Sequence, residues 1–164
     1  MKASSTDLEI RAARPEDVPL VLQFIRALAE YEKLLHDVVA TEEQLRKTLF
    51  GPKPYASVLL AFHRDIPAGF AVYFFSYSTF LARPSLYVED VFVYEHLRGL
   101  GIGGRLFQEM FEIARREGCG RVEWNVLDWN APSIAFYERL GAKVQREWLK
   151  CVMTLESRSQ AFTA

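Results

Sequence analysis

The sequence predicts an α/β fold in which a single domain, residues 1–164 with a core at about residues 8–155, holds a central mixed sheet (α+β in character) with helices on both faces. Half of the 164 residues are apolar and a quarter are charged, as in ordinary globular proteins. Short runs rich in β-forming residues alternate with stretches that carry an apolar stripe at helical spacing. No segment rich in Pro, Gly or Ser divides the chain, so one domain is expected.

The order of the elements follows from these patterns and from the turn residues between them. The predicted elements are a strand over 8–11, a helix from 15 to about 32, a helix from 42 that ends before Gly51, strands over 58–63, 68–77 and 85–93, a helix that ends at Gly118, a strand over 121–127, a helix over 132–140 and one or two closing strands, the clearest over 149–155. Residues 64–67 are turn-like, which predicts antiparallel pairing of the strands on either side. The strand–helix–strand order around the central helix predicts parallel pairing there.

Two helix starts carry clear local signals. Pro15 and the two acids after it suit the first turn of a helix, because proline needs no hydrogen-bond partner there and the helix dipole favours negative charge. Thr41 and Gln44 match a capping box at the start of the second helix. Gly141 is the expected C-terminal cap of the helix over 132–140.

Charge and cysteine content exclude several classes of partner. The net charge is −1 and the pI is about 6.3, which suggests neither a nucleic-acid nor a membrane surface. No apolar run approaches the ~20 residues of a membrane span, and the first residues lack the apolar core of a signal peptide.

Cys119 and Cys151 form no disulfide framework, and reduced thiols are expected. A cytoplasmic protein is predicted, without a metal because its three histidines are far apart in the sequence.

The segment 98–104 (RGLGIGG) is the strongest functional signal in the chain. It lies between a predicted strand and a predicted helix, where backbone N–H groups lack helical partners and the helix dipole favours an anion. Glycines allow the backbone to approach phosphates closely because they have no Cβ. Arg98 adds a cation at the edge of this cradle, so the segment predicts a site for a pyrophosphate group.

Other interpretations of the glycines have to be weighed. Gly99, Gly101 and Gly104 match G-x-G-x-x-G, with Glu123 roughly where a dinucleotide-binding fold has its ribose acid. That fingerprint opens the first strand–helix unit, whereas here about half of the chain precedes it and too few residues follow. A P-loop is excluded because no Gly-Lys-Ser/Thr follows. The structural alternative, glycines needed only for a turn and close packing, stays open.

Several motifs in the same order resemble one enzyme family. Arg98-x-x-Gly101-x-Gly103 between strand and helix resembles the acetyl-CoA signature of the GNAT acetyltransferase superfamily. Segments 28–32, 70–77, 87–93 and 129–137 resemble the spermidine/spermine (diamine) N-acetyltransferase branch, so the resemblance covers nearly the whole chain.

The resemblance implies two catalytic residues. Glu89 matches the carboxylate that serves as general base, through a water molecule, and a base is needed because a primary amine with a pKa near 10.4 is protonated at neutral pH. Tyr137 matches the general acid near the sulfur of CoA, and its alternative role is a packed core ring. Asp90 is expected to point to the opposite face of the strand from Glu89 and to have a different role.

The resemblance also implies the binding residues. The acetyl-CoA site would comprise Val91, Phe92 and Val93 on the strand, Arg98, Gly99, Leu100, Gly101, Ile102, Gly103 and Gly104 in the loop, and Asn130, Ser133 and Tyr137 near the last helix. Asn130 equally fits an N-cap. Tyr31, Glu32 and Glu89 would bind the amine. Glu123 replaces the histidine that polyamine acetylases tend to carry, so both a diamine or polyamine and an amino-acid-like amine stand as substrates.

A homodimer is the last expectation from the resemblance, with the C-terminal strands and the hydrophobic region 72–77 as candidate surfaces. The alternatives to an acetyltransferase of small amines are an acyl-CoA-binding sensor without efficient turnover and an acetyltransferase of protein or peptide amines.

Overall fold

A computed structural model describes residues 7–154 of the chain. By the density of internal contacts the chain divides into two compact units, one ending at Asn125 and the other starting at Val126. The first unit contains a five-stranded sheet in the order β1-β2-β3-β4-β5, in which β1 to β4 pair antiparallel and β5 pairs parallel with β4.

The elements follow the predicted order over most of the chain. They are β1 (Leu8–Ala12), α1 (Val18–Tyr31), α2 (Glu42–Phe50), β2 (Ser57–His63), β3 (Ile66–Ser78), β4 (Arg83–Val93), α3 (Ile102–Arg116), β5 (Val122–Trp124) and α4 (Ala131–Arg139). Short 3-10 turns cover Pro15–Asp17, Leu35–Asp37 and Glu95–Leu97.

Of the two helix starts with local signals, the start of α2 is confirmed by its hydrogen bonds. The Thr41 hydroxyl accepts from the Gln44 N–H at 3.2 Å, and the Gln44 side chain accepts from the Thr41 N–H at 2.9 Å. Before α1, the Asp17 carboxylate accepts from the Arg14 N–H at 2.7 Å and pairs with Arg11 at 2.7 Å. The first turn after Pro15 is a 3-10 turn rather than part of the α-helix.

Two strand predictions are wrong in extent. The strand expected over 121–127 is only Val122–Trp124, because its pairing with β4 ends at the Val88–Trp124 pair. Of the closing strand expected over 149–155, residues 149–154 form no strand and residue 155 lies outside the described residues. An extended segment becomes a strand only when another segment hydrogen-bonds to it, and none of the described strands pairs with 149–154.

Helix α1 covers one face of the sheet. Its Phe24 ring stacks on Phe70 of β3 with centroids 5.3 Å apart, and both rings are fully buried. They share a buried cluster with Val72 of β3 and Phe92 of β4. Burying such side chains contributes about 1.5–3 kcal/mol each, so this cluster fixes α1 against the middle of the sheet.

Helix α3 covers the other face, as predicted. Its Phe107 ring lies 4.9 Å from Trp124 of β5. Trp124 is opposite Val88, and Val88 is opposite Tyr73. Because Tyr73 follows Val72 in an extended strand, its side chain points away from the α1 cluster.

Candidate active site

The two halves of β4 have different neighbours. Over residues 83–88 the strand pairs with β3, and over 86–88 it also pairs with β5. Over residues 89–93 only β3 pairs with it among the described strands. The main chain of the predicted pantetheine-binding residues Val91, Phe92 and Val93 therefore has one edge without a strand partner, which suits an extended ligand that hydrogen-bonds like a strand.

A β-bulge at Glu89 separates these halves. Val72 of β3 is opposite Asp90, but Tyr73 is opposite Val88, so Glu89 is the extra residue of β4. Val72 and Asp90 share the α1 face, while Val88 lies on the α3 face with Trp124. A bulge interrupts the alternation of side chains along a strand.

The expectation that Asp90 points away from Glu89 rests on regular strand alternation. Asp90 shares the α1 face with Val72, and the bulge interrupts the alternation at Glu89, so the direction of the Glu89 side chain stays a prediction. The exposed Glu89 and the largely buried Asp90 are close enough to interact electrostatically.

Glu32 at the end of α1 is the third member of this acidic cluster. Burial, together with the smaller effects of the negative charges of Glu89 and Glu32, raises the pKa of Asp90 to about 6. Burial also raises the pKa of the Glu32 carboxyl. Three acids that share a partly desolvated place, without an arginine or lysine paired to Asp90 among the described residues, favour a site that attracts a cation from solution.

The neighbouring wall of the site comes from β4 and β5. Tyr87 is opposite Glu123, and its side chain lies near that of Asn125. Burial and, next, the charge of Glu89 raise the pKa of the Tyr87 phenol, so this ring lies near the base. Arg121 Nε pairs with Glu123 Oε2 at 3.0 Å. Sequence reasoning missed Tyr87 and Asn125 because their proximity to Glu89 depends on the strand register.

The glycine loop has the geometry expected of an anion cradle. Gly99 and Gly101 have φ values of +82° and +87°, which residues with a side chain rarely adopt. Helix α3 begins at Ile102 without a side-chain cap, and the Arg105 N–H makes the first bond, to Gly101 at 3.1 Å. The N–H groups of the residues between them therefore have no partner within the helix.

Close packing does not explain the glycines. A Cβ placed on Gly99, Gly101 or Gly104 would meet no atom within 4 Å. Positive φ accounts for the first two residues, but Gly104 is an ordinary helical residue. Its bare backbone borders open space in the first turn of α3, which is what a phosphate group requires.

Arg98 does not lie in this cradle. Its guanidinium carbon is 4.5 Å from the centre of the Tyr31 ring and 5.9 Å from that of Phe92. Its Nε donates to the Val93 carbonyl at 3.1 Å. The structure thus brings the predicted phosphate-binding arginine to the predicted amine-binding tyrosine, a contact that no sequence pattern signalled.

The second unit holds the remaining predicted residues. The Asn130 side chain accepts from the Ser133 N–H at 3.3 Å and so caps α4, which confirms the N-cap interpretation. Tyr137 is the buried residue of α4, with its ring centroid 5.5 Å from that of Phe136. Gly141 follows the helix with φ +91°, as expected of its C-terminal cap. Cofactor binding by Asn130 and Ser133 and catalysis by Tyr137 stay predictions.

The remaining sequence expectations concern thiols, metals and membranes. Cys119 and Cys151 are both free. Between residues 7 and 154 no group of three or more His, Cys, Asp and Glu side chains is arranged to hold a metal ion. No helix in that range is long and apolar enough to cross a membrane.

Comparison with solved structures identifies proteins that have a similar fold. The chain is similar to an integron cassette protein from the mobile metagenome of V. cholerae, with a TM-score of 0.75, 27% identity and coverage of 90% of this chain and 93% of the other. It also resembles an aminoglycoside acetyltransferase from an uncultured soil metagenomic sample, with a TM-score of 0.78, 18% identity and coverage of 92% and 98%. The second likeness concerns the fold alone.

Comparison with protein sequences places the family. The chain is 39% identical to a mouse thialysine N-epsilon-acetyltransferase, over 82% of this chain and 83% of the relative, and 34% identical to the Arabidopsis thaliana L-ornithine N5-acetyltransferase NATA1, over 88% and 83%. Residues 23–142 match the family model described as Acetyltransferase (GNAT) family. The chain therefore belongs to the GNAT acetyltransferase family and is an acetyl-CoA-dependent N-acetyltransferase.

Proposed function

We propose that this enzyme acetylates the terminal primary amine of a small basic amino acid or diamine, of the kind that ornithine and thialysine represent. The observation that carries the proposal is the acidic cluster of Glu32, Glu89 and Asp90 beside the open edge of β4. A cationic amine would be drawn to these carboxylates, and a thioester held along the open edge would be within reach of it.

The chemistry starts with the removal of a proton. At neutral pH, deprotonating an amine with a pKa near 10.4 costs about 4–5 kcal/mol. Glu89 is the exposed carboxylate at the bulge and takes this proton, through a water molecule. The amine nitrogen then bonds to the thioester carbonyl carbon, the carbon–sulfur bond breaks, and the thiolate is protonated by Tyr137.

The co-substrate would be bound by the loop and the strand. The N–H groups at the start of α3 and the open space at Gly104 suit the pyrophosphate, and the edge at Val91 and Val93, where β5 no longer pairs with β4, suits the pantetheine arm. Asn130 and Ser133 would contribute from the start of α4. These residues fit acetyl-CoA through backbone groups, so side-chain substitutions there would change affinity through shape more than through lost charge.

The proposal of a small substrate rests on the charged residues at β5. Glu123 stands where polyamine acetylases tend to carry a histidine, and it is neutralised by Arg121 at 3.0 Å. The acidic groups available for a second, distant ammonium are correspondingly few. The two relatives described above act, by their names, on the side-chain amines of ornithine and thialysine, which supports a substrate of that length.

The decisive experiment measures thiol release from acetyl-CoA with a panel of amines. We expect the highest kcat/KM with ornithine or thialysine, a lower value with spermidine and the lowest with an N-terminal peptide. A peptide at the top of the panel would identify a protein acetyltransferase. If no amine stimulated thiol release while CoA still bound, the chain would be a sensor and the proposal would be wrong.

Tyr137→Phe tests the general acid. We expect kcat to fall by about 10²-fold with the affinity for CoA preserved, since only the proton donor is lost. Phe136→Tyr is the matched control, because it adds a hydroxyl to the neighbouring ring and leaves Tyr137 in place. An unchanged kcat in Tyr137→Phe would assign the tyrosine to packing.

A homodimer remains part of the proposal, with a smaller surface than the sequence indicates. Val72 and Tyr73 are buried inside the chain itself, whereas Phe75, Tyr77 and Phe80 are exposed, Phe80 by 97%. Exposed aromatic side chains in one hairpin favour contact with a second copy. Light scattering on the wild type and on Phe80→Ser would show a dimer that weakens in the variant.

A further inference from the structure

Arg98 connects the two ends of the proposed active site. Its backbone lies at the start of the glycine loop, while its guanidinium lies between the rings of Tyr31 and Phe92, 4.5 Å and 5.9 Å from their centres. Tyr31 precedes Glu32 of the acidic cluster, and Phe92 is two residues beyond Asp90 on the same face of β4. The arginine therefore covers Tyr31 on the side of the sheet where the amine would bind.

The elements that carry Tyr31 and Arg98, the end of α1 and the segment after β4, are packed against each other. Tyr94, just after β4, contacts Phe24 at 5.2 Å and Phe92 at 5.4 Å between ring centres, and its hydroxyl accepts from Gln23 Nε2 at 3.1 Å. Tyr31 lies seven residues after Phe24, on the same face of α1. Since the end of β4 and α1 are packed together, the separation of the Tyr31 ring and the glycine loop is fixed, so Arg98 changes partner by a movement of its own side chain.

The hold on the Arg98 side chain is weak. The guanidinium is exposed and, among the residues that the structure describes, has one hydrogen bond, to Val93, besides its ring contacts. Within residues 7–154 it forms no ion pair with a carboxylate. A charge-assisted bond to phosphate is stronger than an exposed cation–π contact, so an anion in the cradle would draw the guanidinium off the ring.

The covered ring also suits the substrate. An aromatic face attracts an ammonium group as it attracts a guanidinium, but two cations cannot occupy the same face. While Arg98 lies on Tyr31, it occupies the place where an amine would gain a cation–π contact and repels the ammonium by its charge.

We propose that Arg98 exchanges between the Tyr31 ring and the pyrophosphate of acetyl-CoA, so that cofactor binding uncovers Tyr31 for the substrate ammonium. This inference rests on the proposed function, and it adds that the two ligands bind with positive coupling through one side chain. Because coupling is reciprocal, the amine also strengthens cofactor binding by the same factor.

The test is a calorimetric titration of the wild-type chain with ornithine, and with thialysine, in the absence and presence of saturating CoA, which cannot react. We expect the amine to bind about tenfold more tightly with CoA, the order of magnitude of one cation–π contact together with one removed charge repulsion. Pantetheine, which lacks the pyrophosphate, should leave the amine affinity unchanged.

Arg98→Gln separates this explanation from a general effect of CoA. The variant should bind the amine without CoA as tightly as the wild type does with CoA, and CoA should add no more than about twofold. Arg64→Gln removes a positive charge at the β2–β3 turn and should keep the full wild-type coupling. Tyr31→Leu should weaken amine binding and abolish the coupling.

Two results would overturn the inference. One is a wild-type amine affinity that is equal, or undetectable, with and without CoA; the other is full coupling retained in Arg98→Gln. Either result with amine-dependent thiol release intact would leave the proposed function standing. Absence of thiol release with every amine would refute the proposed function independently of these titrations.

Discussion

The two halves of β4 show how one strand supplies both stability and chemistry. Residues 83–88 include Leu86 and Val88, which are at most 2% exposed and lie in the part of the strand that pairs on both sides. Residues 89–93 pair on one side only and begin with two carboxylates. The difference arises at a single bulged residue, Glu89, where the pairing with β5 has just ended and the side-chain alternation changes.

The paired half contributes Leu86 and Val88 to the core, whereas the open half leaves backbone and carboxylate groups accessible to ligands. We therefore expect substitutions in the first half to change stability and those in the second half to change catalysis.

Glu89→Gln should have the largest effect on turnover. Loss of the base should reduce kcat by about 10²–10³-fold while the affinity for CoA stays within about twofold, because general base catalysis supplies rate enhancements of this size. Steady-state kinetics and a CoA titration measure the two quantities. Glu95→Gln, in the exposed turn after β4, is the control and should retain wild-type turnover. Equal loss in both variants would contradict the role of Glu89.

Leu86→Ala should have the opposite profile. Removing a fully buried leucine side chain should lower the free energy of unfolding by about 3 kcal/mol, through lost burial and the cavity left behind. Turnover per folded molecule should stay within about twofold. Urea unfolding and an activity assay normalised to CoA-binding sites measure both. Leu149→Ala, at an exposed leucine, should leave stability unchanged.

Asp90→Asn should separate stability from function within the open half. The folded protein raises the Asp90 pKa from 3.8 to about 6, so above that pH the ionised carboxylate destabilises the fold. Asparagine removes this cost and should increase stability by about 1–2 kcal/mol at pH 8. The gain should shrink as the pH falls from 6 to 4, where the wild-type acid is protonated in the folded state.

The same variant should raise KM for the amine several-fold, because one carboxylate of the cluster is lost. Unfolding at a series of pH values and kinetics at pH 8 are the measurements, and Asp128→Asn, at an exposed position, is the control. A stability gain that persisted at pH 4 would show that the effect is not electrostatic.

Gly104→Ala should produce the smallest change. Alanine favours helix over glycine by about 0.8–1 kcal/mol, and its Cβ meets no atom within 4 Å, so the fold should become slightly more stable. The same methyl group would occupy the space of a phosphate and should weaken CoA binding by about tenfold. Gln108→Ala, at an exposed position later in α3, should leave CoA affinity unchanged. Unchanged CoA affinity in Gly104→Ala would place the phosphates elsewhere.

Local signals account for most of what could be predicted. The capping box at Thr41, the C-terminal cap at Gly141 and the apolar stripes of α1 and α3 all depend on residues a few positions apart, and each was predicted where the structure has it. The family resemblance rested on the same kind of local motif.

The errors came from contacts between distant segments. The length of β5 depends on where β4 stops pairing, and residues 149–154 form no strand because none of the described strands pairs with them. The interruption of the side-chain alternation at Glu89 likewise depends on a register shift between β3 and β4. None of these leaves a signature in the residues themselves, because β-pairing joins segments that are far apart in sequence.

The amino-acid sequence by itself determined the order of the elements, the glycine cradle and the identity of Glu89 as a candidate base. Only the tertiary structure decided that Asp90 lies close to Glu32 and Glu89, and that Arg98 lies on Tyr31 instead of in the cradle. The physical reason is that backbone conformation is set by neighbouring residues, whereas the charge and the occupant of a site are set by which distant side chains the fold packs together.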